Sequence, residues 1–258
     1  MTATSRTRGS GDAAFSIGVV CEADADRRIA TELAERVLCS DIDWLDADAI
    51  GAYCGWCGLD DSRTHLAWKS VFDEARRRGI RAHGKFRSSP GACDARRATV
   101  ALRLFMGLDR QPNALLMIRD TDDKPGHAES LRDFQESRVG QQTVVLGIAH
   151  PKREAWVLAG FDPAGSEEEQ RLADARQRLG FDPRERSHEL TAEGTKGKRN
   201  AKSTLDALTG KSHGREATCW QDTDLSILRH RGARNGLAEY LDEVSRLLTP
   251  LIGRSMGM

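Results

Sequence analysis

Phe15-Ser16-Ile17-Gly18-Val19-Val20-Cys21 is an apolar run that ends abruptly in Glu22, with Asp24 and Asp26 close behind. Ala114-Leu115-Leu116-Met117-Ile118 ends the same way, in Arg119-Asp120-Thr121-Asp122-Asp123. Runs this short and continuously apolar, with β-branched residues in them, predict strands buried on both faces, as in a parallel sheet. Open α/β sheets carry their ligand sites at the carboxyl ends of such strands. Carboxylates gathered there repel one another unless a cation lies between them, and hard oxygen donors suit Mg²⁺ or Mn²⁺. The two strand ends therefore predict an α/β fold that holds a divalent metal.

The remaining pattern extends that reading. Asp26 to Cys39 has the spacing of an amphipathic helix, with Ile29, Leu33 and Val37 on one stripe. Asp41 to Leu45 is a candidate second strand, and Ala47 to Asp61 reads as irregular. Arg63 to Arg78 is predicted helical with Gly79 as its C-cap, Ile80 to Ala92 as a loop, and Asp94 to Leu108 as a helix. A helix over Gly126 to Arg138 leads to a strand at Thr143 to Ile148. His150 to Leu158 then passes straight into a helix with Pro151 early in it. This alternation predicts a parallel sheet of about four strands covered by helices. Beyond Phe161 come a charged helix (Gly165 to Leu179), a loop (Phe181 to Lys198), a short helix (Asn200 to Leu208) and a closing helical stretch (Leu225 to Leu251). The expected organisation is a polar lead-in over 1–13, an α/β domain over 14–161 and a helical subdomain over 162–258 packed on it.

With Lys+Arg and Asp+Glu both at 39, net charge indicates no partner, whereas its distribution does. Lys196 to Arg215 holds six basic residues against Asp206 alone, and Arg81 to Arg103 holds six against Asp94. Taken as solvated faces these stretches mean little; set beside acidic strand ends they suggest a polyanion meeting a metal site. On this view Lys196, Lys198, Arg199 and Lys202 contact nucleic acid. No apolar run reaches the roughly 18 residues of a membrane helix. The polar start lacks the apolar centre of a signal peptide. The six cysteines are then expected as reduced thiols in the cytoplasm. Cys54 and Cys57 form a lone CxxC, without a second pair to complete a zinc set.

Glu22-Ala23-Asp24-Ala25-Asp26 after a first strand, followed by Asp120-Thr121-Asp122 after a later one, resembles the Toprim domain of primases, topoisomerases and OLD-family nucleases. The likeness spans Phe15 to about Phe161, with one departure: Ala23 stands where the family usually has glycine. Glu154-Ala155-Trp156 and the helical tail are similar to short stand-alone Toprim-like proteins, many associated with phage defence or mobile elements. The resemblance implies a nuclease of DNA, or of RNA, in such a setting. It also implies a separately encoded ATPase as partner, since small Toprim proteins lack a motor.

The chemistry of the residues agrees. Metal-assisted phosphodiester hydrolysis needs oxygen ligands for one or two ions. Glu22, Asp120 and Asp122 would be the primary ligands, Asp120 and Asp122 facing the same side of an extended segment. Asp26 would hold a second ion or orient a ligand, or would serve as the N-cap of the first helix. Glu154 would be a further ligand or general base, or would complement a helix dipole. Asp24 and Asp123 are assigned to solvent or supporting roles, and Trp156 to core packing. Lys124, Lys152 and Lys202 are candidates for the cation on the developing phosphorane. A dehalogenase-type reading fails because position 124 is Lys. A receiver-type reading fails on the order of its acids, and no phosphate-loop or Gly-x-Ser-x-Gly motif is present. The rival function is a non-catalytic nucleic-acid-binding or effector-sensing subunit with a structural ion.

Overall fold

The structure, a computed structural model, describes residues 13–80, 92–138, 141–192 and 197–253. The elements of the first half are β1 (Phe15–Cys21), α1 (Asp24–Asp41), α2 (Ile50–Tyr53), β2 (Cys54–Cys57), β3 (Leu66–Ala67), α3 (Val71–Arg77), α4 (Ala92–Met106), β4 (Ala114–Asp120), α5 (Pro125–Glu136) and β5 (Thr143–Ala149). Then come α6 (Arg153–Ala159), α7 (Ser166–Leu179), α8 (Ala201–Thr209), α9 (His213–Gln221), α10 (Leu225–Arg231), α11 (Leu237–Leu247) and α12 (Thr249–Gly253). Short 3₁₀ turns lie at Trp68–Ser70 and Ser187–Glu189.

The sheet is all parallel in the order β2-β1-β4-β5, with β3 pairing the far end of β1. This is the expected architecture: a parallel sheet of four strands plus one two-residue strand, helices on both faces, and helices completing the chain. Successive strand residues face opposite layers. Ile17, Val19, Cys21, Leu116 and Ile118 enter one core with α1, α6, α9 and α11. Val20, Leu115, Met117, Leu146 and Ile148 enter the other, with α3, α4 and α5.

Several local expectations are corrected. Asp41 to Leu45 forms no strand; the strand beside β1 is Cys54–Cys57, inside the stretch read as irregular. A glycine-containing four-residue edge strand has almost no pattern of its own and is made by pairing with Phe15 to Gly18. Arg63 to Arg78 is not one helix but β3, a 3₁₀ turn and α3. Pro151 lies outside α6, whose N-cap is Lys152. The closing stretch is broken into α10, α11 and α12, and α9 precedes it unforeseen. The loop expected at Ile80 to Ala92 falls almost wholly outside the described residues.

The breaks have a physical cause. Gly236 has φ +85°, and a Cβ there would lie 1.9 Å from the Ile148 carbonyl oxygen. Only glycine lets the chain pass so close to β5 in that conformation. Its neighbour Asn235, fully buried, donates from Nδ2 to Ala155 O and Ser187 Oγ, both at 2.9 Å. Asn235 O accepts the His150 N–H and the Trp156 indole N–H, each at 2.9 Å. This hub ties the carboxyl end of β5 and the start of α6 to the terminal helices.

Candidate functional site

The carboxyl ends of β1, β4 and β5 lie at one rim, because all strands are parallel and Asp120 is in register with Ala149. The loops after β4 and β5 are laced together. Thr121 N donates to Ala149 O at 2.9 Å, Asp122 N donates to Pro151 O at 3.1 Å, and Thr121 Oγ1 lies 2.8 Å from His150 Nδ1. The Arg153 N–H donates to Asp120 Oδ1 at 2.9 Å.

A pocket of about 260 Å³ opens at this rim, lined by Asp26, Asp120, Lys152, Arg153, Glu154, Ala192, Asn200 and Lys202. One wall comes from β4 and the heads of α1 and α6 and carries Asp26, Asp120 and Glu154 together with Lys152 and Arg153. The other is the head of α8, where Asn200 Oδ1 caps the helix by accepting the Ser203 N–H at 2.8 Å. Asp26 does two jobs. Its Oδ2 accepts the Ala23 N–H at 2.9 Å, so it closes the first turn from the third helical position while Ala23, not Asp26, is the N-cap; its Oδ1 faces Arg153 at 3.7 Å. Burial pushes the Asp120 carboxyl up to about 8, and the charges of Asp26 and Glu154 add to this against the pull of the Arg153 N–H. Burial likewise raises Asp26, with Ala23 N–H and Arg153 opposing.

Glu22 does not face Asp120 as expected, and strand alternation is the reason. In the β1–β4 ladder Val20 pairs with Met117, so the continued register sets Glu22 against Arg119, on the opposite face from Asp120. Arg119 Nη1 contacts Glu22 Oε1 and its Nε donates to Asp94 Oδ2 at 3.2 Å. Asp94, 2 % exposed, also meets His127 Nδ1 at 3.1 Å. Asp122 is not in an extended segment: it has φ +49° and Asp123 φ +59°, so the chain turns and the two-residue spacing argument fails. Asp122 pairs instead with Lys152 Nζ at 3.2 Å. Burial would lower the Lys152 ammonium, but that pair outweighs it and raises it.

Other predicted residues are distributed around this centre. Glu154, in the first turn of α6, lies 3.3 Å from Arg153 Nη2. Lys152 and Lys202 border the pocket, whereas Lys124 is exposed at the N-cap of α5 and lines no part of it. Lys198 and Arg199 are exposed, Arg199 with its guanidinium 5.5 Å from the Phe181 ring centroid. Lys196 lies outside the described residues. Asp24 pairs with Arg27 at 2.7 Å, and Asp123 accepts the Ala192 N–H at 2.7 Å, so both act as supports. Trp156 packs in the core, stacked on Tyr240 at 5.1 Å.

Sequence reasoning missed Arg119, Asp94, Arg153, Glu216 and Asn200. Arg119 and Arg153 were signalled by standing directly beside Asp120 and Glu154. Asp94, Asn200 and Glu216 carry no local signal, since distant elements deliver them.

The donors suit a hard divalent cation in kind, being carboxylate oxygens. In arrangement, Arg119 and Arg153 stand between them, and among the described residues no group of three His, Cys, Asp or Glu side chains is set to hold a metal ion. Cys54 and Cys57 point to opposite sides of β2, Cys54 into the core and Cys57 Sγ 3.2 Å from Ser16 Oγ, so they do not act as a pair. All six cysteines are free thiols. Among the described residues no helix is long and apolar enough to cross a membrane. No protein-family model, no curated protein and no solved structure matches the chain.

Proposed function

We propose that this protein is a divalent-metal-dependent nuclease that hydrolyses phosphodiester bonds of DNA, or of RNA, at the pocket on the sheet's carboxyl rim. The observation that carries the reading is the mixed lining of that pocket: Asp26, Asp120 and Glu154 together with Lys152, Arg153 and Lys202. Carboxylates that raise one another's proton affinity are a place where Mg²⁺ or Mn²⁺ is favoured over a proton. Basic groups in the same pocket suit the phosphate that such an ion activates. Asp26, Asp120 and Glu154 would hold the ion, with Asp122 beside them. Glu22, engaged with Arg119, belongs to the site only if that pair opens. The order of the acidic motifs and their likeness to Toprim proteins agree with this chemistry. A bacterial cytoplasm, a defence or mobile-element setting and a separately encoded ATPase are part of the same proposal.

The second reading is a non-catalytic nucleic-acid-binding or effector-sensing subunit. It is favoured by one specific feature: Arg119 and Arg153 already neutralise Glu22, Asp26 and Glu154 without any metal.

Purified protein incubated with supercoiled plasmid, linear DNA and RNA, in Mg²⁺, Mn²⁺ or EDTA, separates the two. A nuclease cleaves only with metal, and Asp26→Ala, Asp120→Ala and Glu154→Ala each reduce the rate by about 100-fold or more. Glu22→Ala reports whether the Arg119 pair opens. Binding that survives in all variants, with no cleavage in any condition, would favour the passive subunit.

A further inference from the structure

Arg153 is shared among three carboxylates. Its Nε is 3.7 Å from Asp26 Oδ1, Nη2 is 3.3 Å from Glu154 Oε1, and Nη1 is 3.5 Å from Glu216 Oε2. Some arginines elsewhere in the molecule close on one carboxylate with two nitrogens, while Arg63, Arg119 and Arg231 each meet two carboxylates with one nitrogen apiece. Arg132 meets Glu239 at 3.0 and 2.7 Å, and Arg186 meets Glu189 at 2.7 Å twice. The two-pronged fork is what makes an arginine pair strong and directional. Arg153 has three partners and no fork. Its side chain is 13 % exposed, yet it borders the pocket beside Lys152 and Lys202. Glu216, buried on α9, reaches the guanidinium although no residue of α9 lines the pocket. An arginine needed only to neutralise the wall would gain most by forking onto one carboxylate. Held at long range by three, it keeps its paired donors for an anion that fits them better, and a phosphate group has that geometry.

We propose that Arg153 is a phosphate-contacting residue of this pocket, held there by Glu216 as a positioning residue, and that its guanidinium closes on a backbone phosphate of bound nucleic acid. The proposal rests on the nuclease reading in taking nucleic acid as the ligand. It adds a residue that neither the acidic motifs nor the lysine candidates include. It also gives α9 a task at the site: anchoring from behind a cation that Asp26 of α1 and Glu154 of α6 share.

The test measures binding of a short duplex DNA to the full chain by fluorescence anisotropy, in EDTA and in Ca²⁺, across about 50–200 mM salt. The double variant Arg153→Met, Glu216→Met removes one charge of each sign, so the net charge of the molecule is unchanged. It is expected to flatten the slope of log K against log salt by about 0.9, the loss of one phosphate contact. Arg153→Lys and Glu216→Gln should both keep the wild-type slope, because the contacting charge remains. Glu216→Gln should still weaken binding by about threefold, which marks positioning rather than contact. Should the double variant fail to fold, Arg153→Gln, which retains an amide donor among the carboxylates, carries the same slope test. A folded variant lacking the Arg153 charge that binds with the wild-type slope overturns the proposal while leaving metal-dependent cleavage untouched. Wild-type protein that binds neither this duplex nor an RNA of the same length in either condition overturns this proposal and the nuclease reading together.

Discussion

Asp120 ends β4 with its carboxyl half-enclosed, one oxygen on the Arg153 N–H and three other acids, Asp26, Glu154 and Asp122, nearby. The folded protein therefore holds the Asp120 proton up to about pH 8, whereas an unfolded chain releases it near about pH 4. Folding takes up a proton between these values, so this group costs stability progressively as pH rises through that window. In metal-free buffer Asp120→Asn is expected to stabilise the protein by about 1–3 kcal/mol at pH 8. The gain should fade towards pH 4, as urea melts at several pH values would show. A flat difference between the two proteins across that range would mean that Asp120 is ionised throughout. The same residue illustrates what was readable in advance. That Asp120 would stand at a strand end followed from the apolar run before it. That Glu22 would answer to Arg119 on the other face did not, because strand parity across a ladder depends on register, and register is a property of two strands together.

Among the elements, β1, β4 and β5 were legible because each is buried on both faces and long enough to carry a continuous apolar run. The strand beside β1 was not. Cys54-Gly55-Trp56-Cys57 has a glycine and two cysteines in four residues, and extended structure there is supplied by the neighbour. α8 was legible as a short helix over Asn200 to Leu208, with Asn200 read inside it rather than as its cap, while the division between α10 and α11 was not, because helical spacing runs on through it. Gly236 makes that division necessary. Gly236→Ala would set a methyl 1.9 Å from the Ile148 carbonyl oxygen at φ +85°. It is expected to destabilise the protein by about 3 kcal/mol or more. Because Asn235 beside it holds the His150 N–H and the Trp156 indole, the damage should reach the loop that carries Lys152 and Arg153. Urea denaturation together with hydrogen exchange at His150 would measure both effects. An unchanged denaturation midpoint would refute the close approach.

At the scale of the molecule, the terminal helices complete the sheet rather than forming a unit beside it. One apolar core runs from Ile17 and Leu116 through Trp156 to Leu241, Leu248 and Ile252. The Tyr240 hydroxyl, buried with its ring, donates to Ala30 O in α1 at 2.6 Å. Leu241→Ala should therefore cost about 2–5 kcal/mol and lower a single cooperative transition. Calorimetry that resolved a separate early transition for residues 162–258 would contradict a shared core. What the amino-acid sequence determined by itself was the class of fold, the parallel strands and the clustering of acids at their ends, since hydrophobic period and strand length act locally. Tertiary structure alone decided which acids share a pocket, which are locked by Arg119, and that α8 and α9 bring Lys202 and Glu216 to the same rim. Those outcomes depend on ladder register and on how distant helices close over the sheet, and neither is encoded in any short stretch of chain.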